Sequence, residues 1–388
     1  MAADPLADPP ERAALRRTVR RLIDRISPPE RIAALDEAET FDHDLFAALA
    51  EIGAFAAGAP ESVGGVGDVR DQLVVVEELG AGPTSMAAYA IAHFAVTQTI
   101  ATYGCTDAHL DLARRLVGGS THCSFALSEP AGGTDVARAM RTRAVRDGDA
   151  WRLDGQKLWT SGATIAEAIV VLARTTPPDP SPVHGITMFL VPADAPGVDV
   201  RPIDTFGIRG CSTCEVFLDG VVVGADAVLG EVDLGLRQVF ATIDREGLNA
   251  TAACLGVGRA ALDLAVGYTS SREVFGRPIG SFQAPQHRLV DAAVALEGAR
   301  SLMWRAAELE VAGEPAGVLA AMAKLAASEA AERVARDGMQ FMGGLGYTRE
   351  VAMTRLFRDV RLWAFTPLTN EVVRNRIGEA HLGLPRAT

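Results

Sequence analysis

Between Gly118-Gly119 and Leu234 the hydrophobic period of this 388-residue chain switches from helical to alternating and back again. That switch constrains the fold more than any other feature. Before it, Leu15, Val19, Leu22, Ile23 and Ile26 recur at helical spacing, as do Phe46, Leu49, Ile52 and Phe55. Leu73 to Leu79 begins another helix after the glycine-rich run Glu61 to Gly67. Inside the switch, Ile169 to Ala173, Gly185 to Val191, Val198 to Ile203 and Glu215 to Leu218 are short β-rich runs bounded by Gly, Pro and Asp. Trp151 to Gly155 reads as a strand and turn, and Pro177 to Pro182 as a loop. Afterwards Gly256 to Tyr268, Phe282 to Glu310, Leu319 to Met342 and Val351 to Trp363 read as long helices. The pattern predicts an α+β chain: an N-terminal helical domain (1–118), a central β domain (119–230) and a C-terminal helical domain (231–388).

Composition narrows the function. A formal net charge of −12 argues against an electrostatic nucleic-acid binder. The stretch Gly80 to Thr106 has no Asp, Glu, Lys or Arg, but Pro83, His93, Gln98 and several Thr make it a buried helix rather than a membrane span. Met1 to Pro10 is acidic and Pro-rich, without the features of a secretion signal. Five Cys do not make a disulfide scaffold in a chain of this length. The expectation is a reduced, cytoplasmic protein that binds neither nucleic acid nor membrane.

Several motifs have plain readings. Gly256-Val257-Gly258-Arg259-Ala260-Ala261 fits a loose dinucleotide pattern, but no strand precedes it, so a close helix contact is expected. Cys211-Ser212-Thr213-Cys214 has no second ligand pair, so no metal is expected and the two read as reduced loop thiols. Two clusters carry more. In Phe125 to Asp135 a hydrophobic strand ends in Ser128-Glu129-Pro130 and enters Gly132-Gly133-Thr134-Asp135. Such a turn exposes backbone N–H groups and hydroxyls. Arg272 to Gly280, with Gln283, Gln340 and Gly343-Gly344, combines an arginine fork with bare backbone suited to a pyrophosphate. Taken alone, each also reads as an ordinary loop.

Together, and in order, these pieces resemble the acyl-CoA dehydrogenase family of flavoproteins. Ser128-Glu129-Pro130 through Asp135 resembles the family's T-E-P-x-x-G-S-D loop, and Gly155 to Gly162 its G-x-K-x-W-I-T-N segment. Arg272 to Gly276 resembles R-x-x-F-G, Gln340 to Gly346 resembles Q-x-x-G-G-x-G, and Arg358-Asp359 the closing R-D. The resemblance implies a helical domain, a β-barrel-like domain and a C-terminal four-helix bundle, with FAD between the last two. It implies a homodimer or homotetramer whose subunits share each FAD site. Phe125, Leu127 and Ser128 would approach the flavin, and Trp159 and Ser161 would cover its ring. Arg272, Phe275, Gln283, Gln340, Gly343 and Gly344 would hold the diphosphate and adenine. Thr369 and Glu371 match late FAD contacts, and Thr134 and Asp244 match positions touching the acyl-pantetheine chain.

In that family a carboxylate removes an α-proton from a thioester while a β-hydride leaves to the flavin. The base must be close and partly desolvated. Counted from Arg358-Asp359, the usual glutamate falls on Pro367, which has neither a carboxylate nor an N–H. The isovaleryl- and long-chain-type members carry their base on an earlier helix, and that position matches Glu246. The Arg that often follows is Gly247 here. The expected activity is therefore FAD-dependent dehydrogenation of an acyl-CoA or acyl-carrier-protein thioester. Electrons would leave to a flavoprotein or to oxygen. Oxidation at α,β is the default and γ,δ the alternative. A non-catalytic partner subunit of a heteromeric dehydrogenase and a flavin monooxygenase on the same fold are the competing readings.

Overall fold

A computed structural model of the chain describes residues 8–387. Most of the Met1 to Pro10 stretch read above lies outside the described residues. The first six helices are α1 (Pro10–Ile26), α2 (Pro29–Glu37), α3 (His43–Glu51), α4 (Val69–Ala81), α5 (Thr84–Tyr103) and α6 (Asp107–Val117). Local chemistry sets their starts. Asp42 caps α3 by accepting from the Leu45 N–H, and Asp68 with Asp71 forms a capping box on α4. The uncharged run forms α5, whose Met86, Tyr89, His93 and Phe94 are buried.

The β domain is one eight-stranded sheet. Its strands are β1 (Cys123–Ala126), β2 (Arg143–Asp147), β3 (Ala150–Ser161), β4 (Ala168–Arg174), β5 (Ile186–Pro192), β6 (Val198–Ile203), β7 (Thr213–Gly224) and β8 (Val228–Leu229). A one-turn helix α7 (Val136–Ala139) follows β1. The order is β6-β7-β3-β2-β4-β5-β8, and β1 pairs parallel with β4. The apolar run of β4 is buried on both faces. Val170 and Leu172 pack with Ile100, Leu112 and Leu116 of the helical domain, while Ile169 and Val171 face Trp151, Phe189 and Val216.

Three sequence expectations need correction here. The turn expected at Asp154-Gly155 is a register shift inside β3, and the chain reverses instead at Gly148, where φ is +61°. A side chain at Gly155 would collide with Thr142, so that glycine serves a close approach rather than a turn. The helix expected over Val351 to Trp363 breaks after Asp359 into a short 3₁₀ segment. Cys211 and Cys214 are both buried, and Cys214 belongs to β7 rather than to a loop.

The C-terminal domain contains α8 (Gly235–Phe240), α9 (Ile243–Ser271), a hairpin of β9 (Glu273–Val274) and β10 (Arg277–Pro278), then α10 (Gln283–Val311), α11 (Gly317–Met342), α12 (Ala352–Asp359) and α13 (Asn370–Ala380). By length and composition α9 could cross a membrane, but α4, α10 and α11 pack around it. A Cβ on Gly256 would sit 2.1 Å from the Glu77 carbonyl oxygen, and one on Gly258 would sit 2.5 Å from Leu296. The Gly256/Gly258 pair is a helix contact. Beside it, buried Glu77 and Glu78 join α1, α9 and α10 through Arg16, Arg259 and Arg300.

Where the helical domain meets β1, Tyr89 Oη and His122 Nδ1 are hydrogen-bonded at 2.5 Å, and His93 Nε2 lies 2.9 Å from the Leu116 carbonyl. Burial pulls both imidazoles down to about 4. Because their folded values lie below the ordinary 6.5, the unfolded chain binds more protons between those values. The contribution of the two histidines to stability is therefore complete above about pH 6.5 and falls towards pH 4. Replacing His93 by Gln should flatten part of that slope in urea titrations run at several pH values. An unchanged slope would remove His93 as its source.

Candidate active site

Glu246 lies in the first turn of α9, where its N–H donates to the Thr242 carbonyl. Burial pushes its carboxyl up to about 7. No basic side chain contributes to that shift, so burial alone sets it. Glu246 lines a small, partly open cavity with Arg245 and Asn249 of α9, Gln72 of α4, and Phe94 and Gln98 of α5. A carboxyl that titrates near neutrality beside a cavity is suited to taking a proton from a bound molecule.

The adjacent turn of α9 faces elsewhere. Asp244 accepts a two-pronged bond from Arg376 of α13, one prong at 3.1 Å, so its oxygens are already engaged. Asp244 and Gly247 line a second cavity with Lys324, Pro367 and Leu368. Lys324 Nζ donates to the Leu368 carbonyl at 2.7 Å and to Asn370 Oδ1 at 2.8 Å, which fixes the segment carrying Pro367.

The β-domain residues form another surface. Phe125, Leu127 and Ser128 are half-buried at the end of β1. The Leu158 N–H donates to the Ser128 carbonyl at 2.9 Å, which brings β3 alongside. A register shift between Lys157 and Thr160 puts Trp159 at φ +63° and turns its indole outward, 58% exposed. Ser161 is half-buried beside it, and its carbonyl accepts from Ser124 Oγ. An outward indole, two half-buried serine hydroxyls and an apolar strand end could meet a flat aromatic ring with polar edges. Thr134 is exposed in the following loop.

Sequence reasoning quoted Glu129 and Lys157 but gave them no role. Both are buried, with Lys157 Nζ 2.7 Å from Glu129 Oε1 and 3.2 Å from the Leu127 carbonyl. Glu129 also accepts from the Arg141 and Thr142 N–H groups. Burial would raise the Glu129 carboxyl, yet the Lys157 ammonium and these donors hold it below its usual range. The pair pins the residues on either side of Ser128.

Arg272, Phe275, Gln283, Gln340, Gly343 and Gly344 are all exposed, at the α9–α10 connection and the end of α11. An Arg288–Asp337 ion pair of 3.6 Å ties that end of α10 to α11. Phe275 is 96% exposed at φ +51°, and Gly343 has open space around it at φ +56°. Arginine, amides and open backbone suit a diphosphate. Thr369 Oγ1 caps α13 by accepting from the Val372 N–H, and Glu371 is exposed in the first turn.

Fold and site together define an α–β–α chain with a raised carboxyl at a cavity beside the start of α9. Family models described as the acyl-CoA dehydrogenase N-terminal, middle and C-terminal domains match residues 9–119, 124–221 and 233–382. The chain belongs to the acyl-CoA dehydrogenase family, which is FAD-dependent, and is an oxidoreductase of that type. It is 37% identical over 347 residues to the mitochondrial short-chain specific acyl-CoA dehydrogenase of Bos taurus, covering 88% of this chain and 83% of that protein. The butyryl-CoA dehydrogenase structure from Megasphaera elsdenii superposes with a TM-score of 0.91 at 30% identity, covering 97% of this chain and 99% of that one. A glutaryl-CoA dehydrogenase from Mycobacterium smegmatis in complex with FADH2 gives 0.91 at 27% identity, covering 100% and 97%.

Proposed function

We propose that this protein dehydrogenates an acyl-CoA thioester at its α,β bond, with Glu246 removing the α-proton. The observation carrying the reading is a carboxyl raised to about 7 by burial, lining a cavity, in a chain whose usual base position is Pro367. Bound FAD would supply the hydride acceptor. Phe125, Leu127, Ser128, Trp159 and Ser161 would hold its ring, and Ser128 is kept in place by the Glu129–Lys157 pair. A catalytically silent partner subunit would have no use for a desolvated carboxyl at a cavity.

The same reading makes the protein a homodimer or homotetramer. Glu246 and Arg272 stand at opposite ends of α9, about 39 Å apart at 1.5 Å per residue. That exceeds the reach of one extended FAD. The exposed Arg272, Gln340 and Gly343 group would therefore serve the flavin of a neighbouring subunit. The electron acceptor would be a separate flavoprotein.

The test is anaerobic titration of the purified yellow protein with a panel of acyl-CoA esters, followed by location of the new double bond by NMR. Bleaching by a saturated thioester, a 2,3-unsaturated product and an FAD-loaded dimer or tetramer by light scattering are expected. Tightly held FMN, an FAD-loaded monomer or a 4,5-alkene product would each overturn the corresponding part.

A further inference from the structure

Ala57, Ala59, Ala95 and Phe94 line part of the Glu246 cavity, and polar side chains interrupt that apolar wall. Asn249 is 2% exposed, and its buried Oδ1 has no hydrogen-bond partner. It lies three residues after Glu246, so both side chains leave the same face of α9, and both line the cavity. Gln72, also 2% exposed, comes in from α4 with its Oε1 against Gly58. Arg245 Nη1 completes the rim, donating at 3.1 Å to the Gly58 carbonyl and at 3.1 Å to Gln98 Oε1. Phe94 is the one large apolar side chain in the lining.

A buried amide oxygen without a donor is a standing cost to the fold, so it needs a reason. A ligand that brings an O–H or N–H removes that cost on binding. A plain alkyl chain leaves it in place. The sign of charge can also be read. Arg245 Nε is 2.5 Å from Glu310 Oε1, so its positive charge is already matched, and Glu246 adds negative charge as it ionises. An anionic acyl terminus gains no free cation there.

Resting on the dehydrogenase reading above, we infer that the preferred substrate is an acyl-CoA whose chain carries a neutral hydrogen-bonding group, a hydroxyl or carboxamide, met by Asn249 and Gln72. Asn249 stands about one helical turn, about 5 Å, beyond Glu246. The polar group therefore belongs three or four bonds past the carbons that react.

The test compares ω-hydroxy, ω-carbamoyl and ω-carboxyl acyl-CoA esters of about four to seven carbons with their alkyl isosteres, using flavin reduction as the readout. The hydroxy or carbamoyl ester of matching length should exceed its isostere by about 10-fold or more in kcat/KM. Asn249→Leu should erase or invert that ratio while keeping FAD. It should also raise the unfolding temperature of the ligand-free protein, because it removes a buried unpaired oxygen. Preference for alkyl or ω-carboxyl esters, or an unchanged ratio in Asn249→Leu, overturns the inference and leaves the dehydrogenase standing. Failure of every thioester to bleach the flavin overturns both.

Discussion

Glu246→Gln is expected to slow substrate-driven flavin reduction by ~10²-fold or more and to make the protein more stable above about pH 7. Glutamine keeps the size and hydrogen bonding of the side chain but cannot take a proton. The stability gain follows from the same burial that suits the residue to its task. A carboxyl held near 7 when folded and near 4.5 when unfolded costs the fold nothing below the lower value. Its penalty grows as pH rises from about 4.5 to about 7 and is fully present above that window. The amide escapes that loss, a gain of up to about 3 kcal/mol at alkaline pH. The wild-type reduction rate should rise with pH through about 7 and level off, and the variant should lack that rise. Stopped-flow reduction and urea unfolding across pH measure both effects. Turnover within a few-fold of wild type would place the base elsewhere.

How much of this was legible in the sequence depends on how local the signal is. The α–β–α order is local, written in hydrophobic periods, and the helices and strands lie where those periods fall. Asp154-Gly155 misled because glycine marks both turns and close approaches. Only the packing of Thr142 against β3 distinguishes the two. Glu246 could be found because the base missing at Pro367 directed attention to another position. Its burial could not be read, since it depends on α4 and α5 closing over the start of α9. The ion pair of Asp244 with Arg376, 132 residues away, could not be read either. The unpaired state of Asn249 is likewise a property of packing and leaves no mark on spacing.

Breaking the Glu129–Lys157 pair is expected to cost about 3–5 kcal/mol. The two side chains are 4% and 0% exposed, so neither can turn to water when its partner is removed. Glu129→Leu strands the Lys157 ammonium with the Leu127 carbonyl as its remaining acceptor. Lys157→Met leaves Glu129 with the Arg141 and Thr142 N–H groups, so it should be the milder change. The double variant should lose less than the sum of the two, because it leaves no unpaired buried charge. Function separates what stability merges. Lys157 Nζ also ties down the Leu127 carbonyl, next to Ser128. The double variant should therefore regain stability yet still release FAD more readily than wild type. Urea unfolding of the four proteins with FAD retention on dilution measures both. Additive losses would mean that the pair is not coupled, and full FAD retention in the double variant would mean that it does not position Ser128.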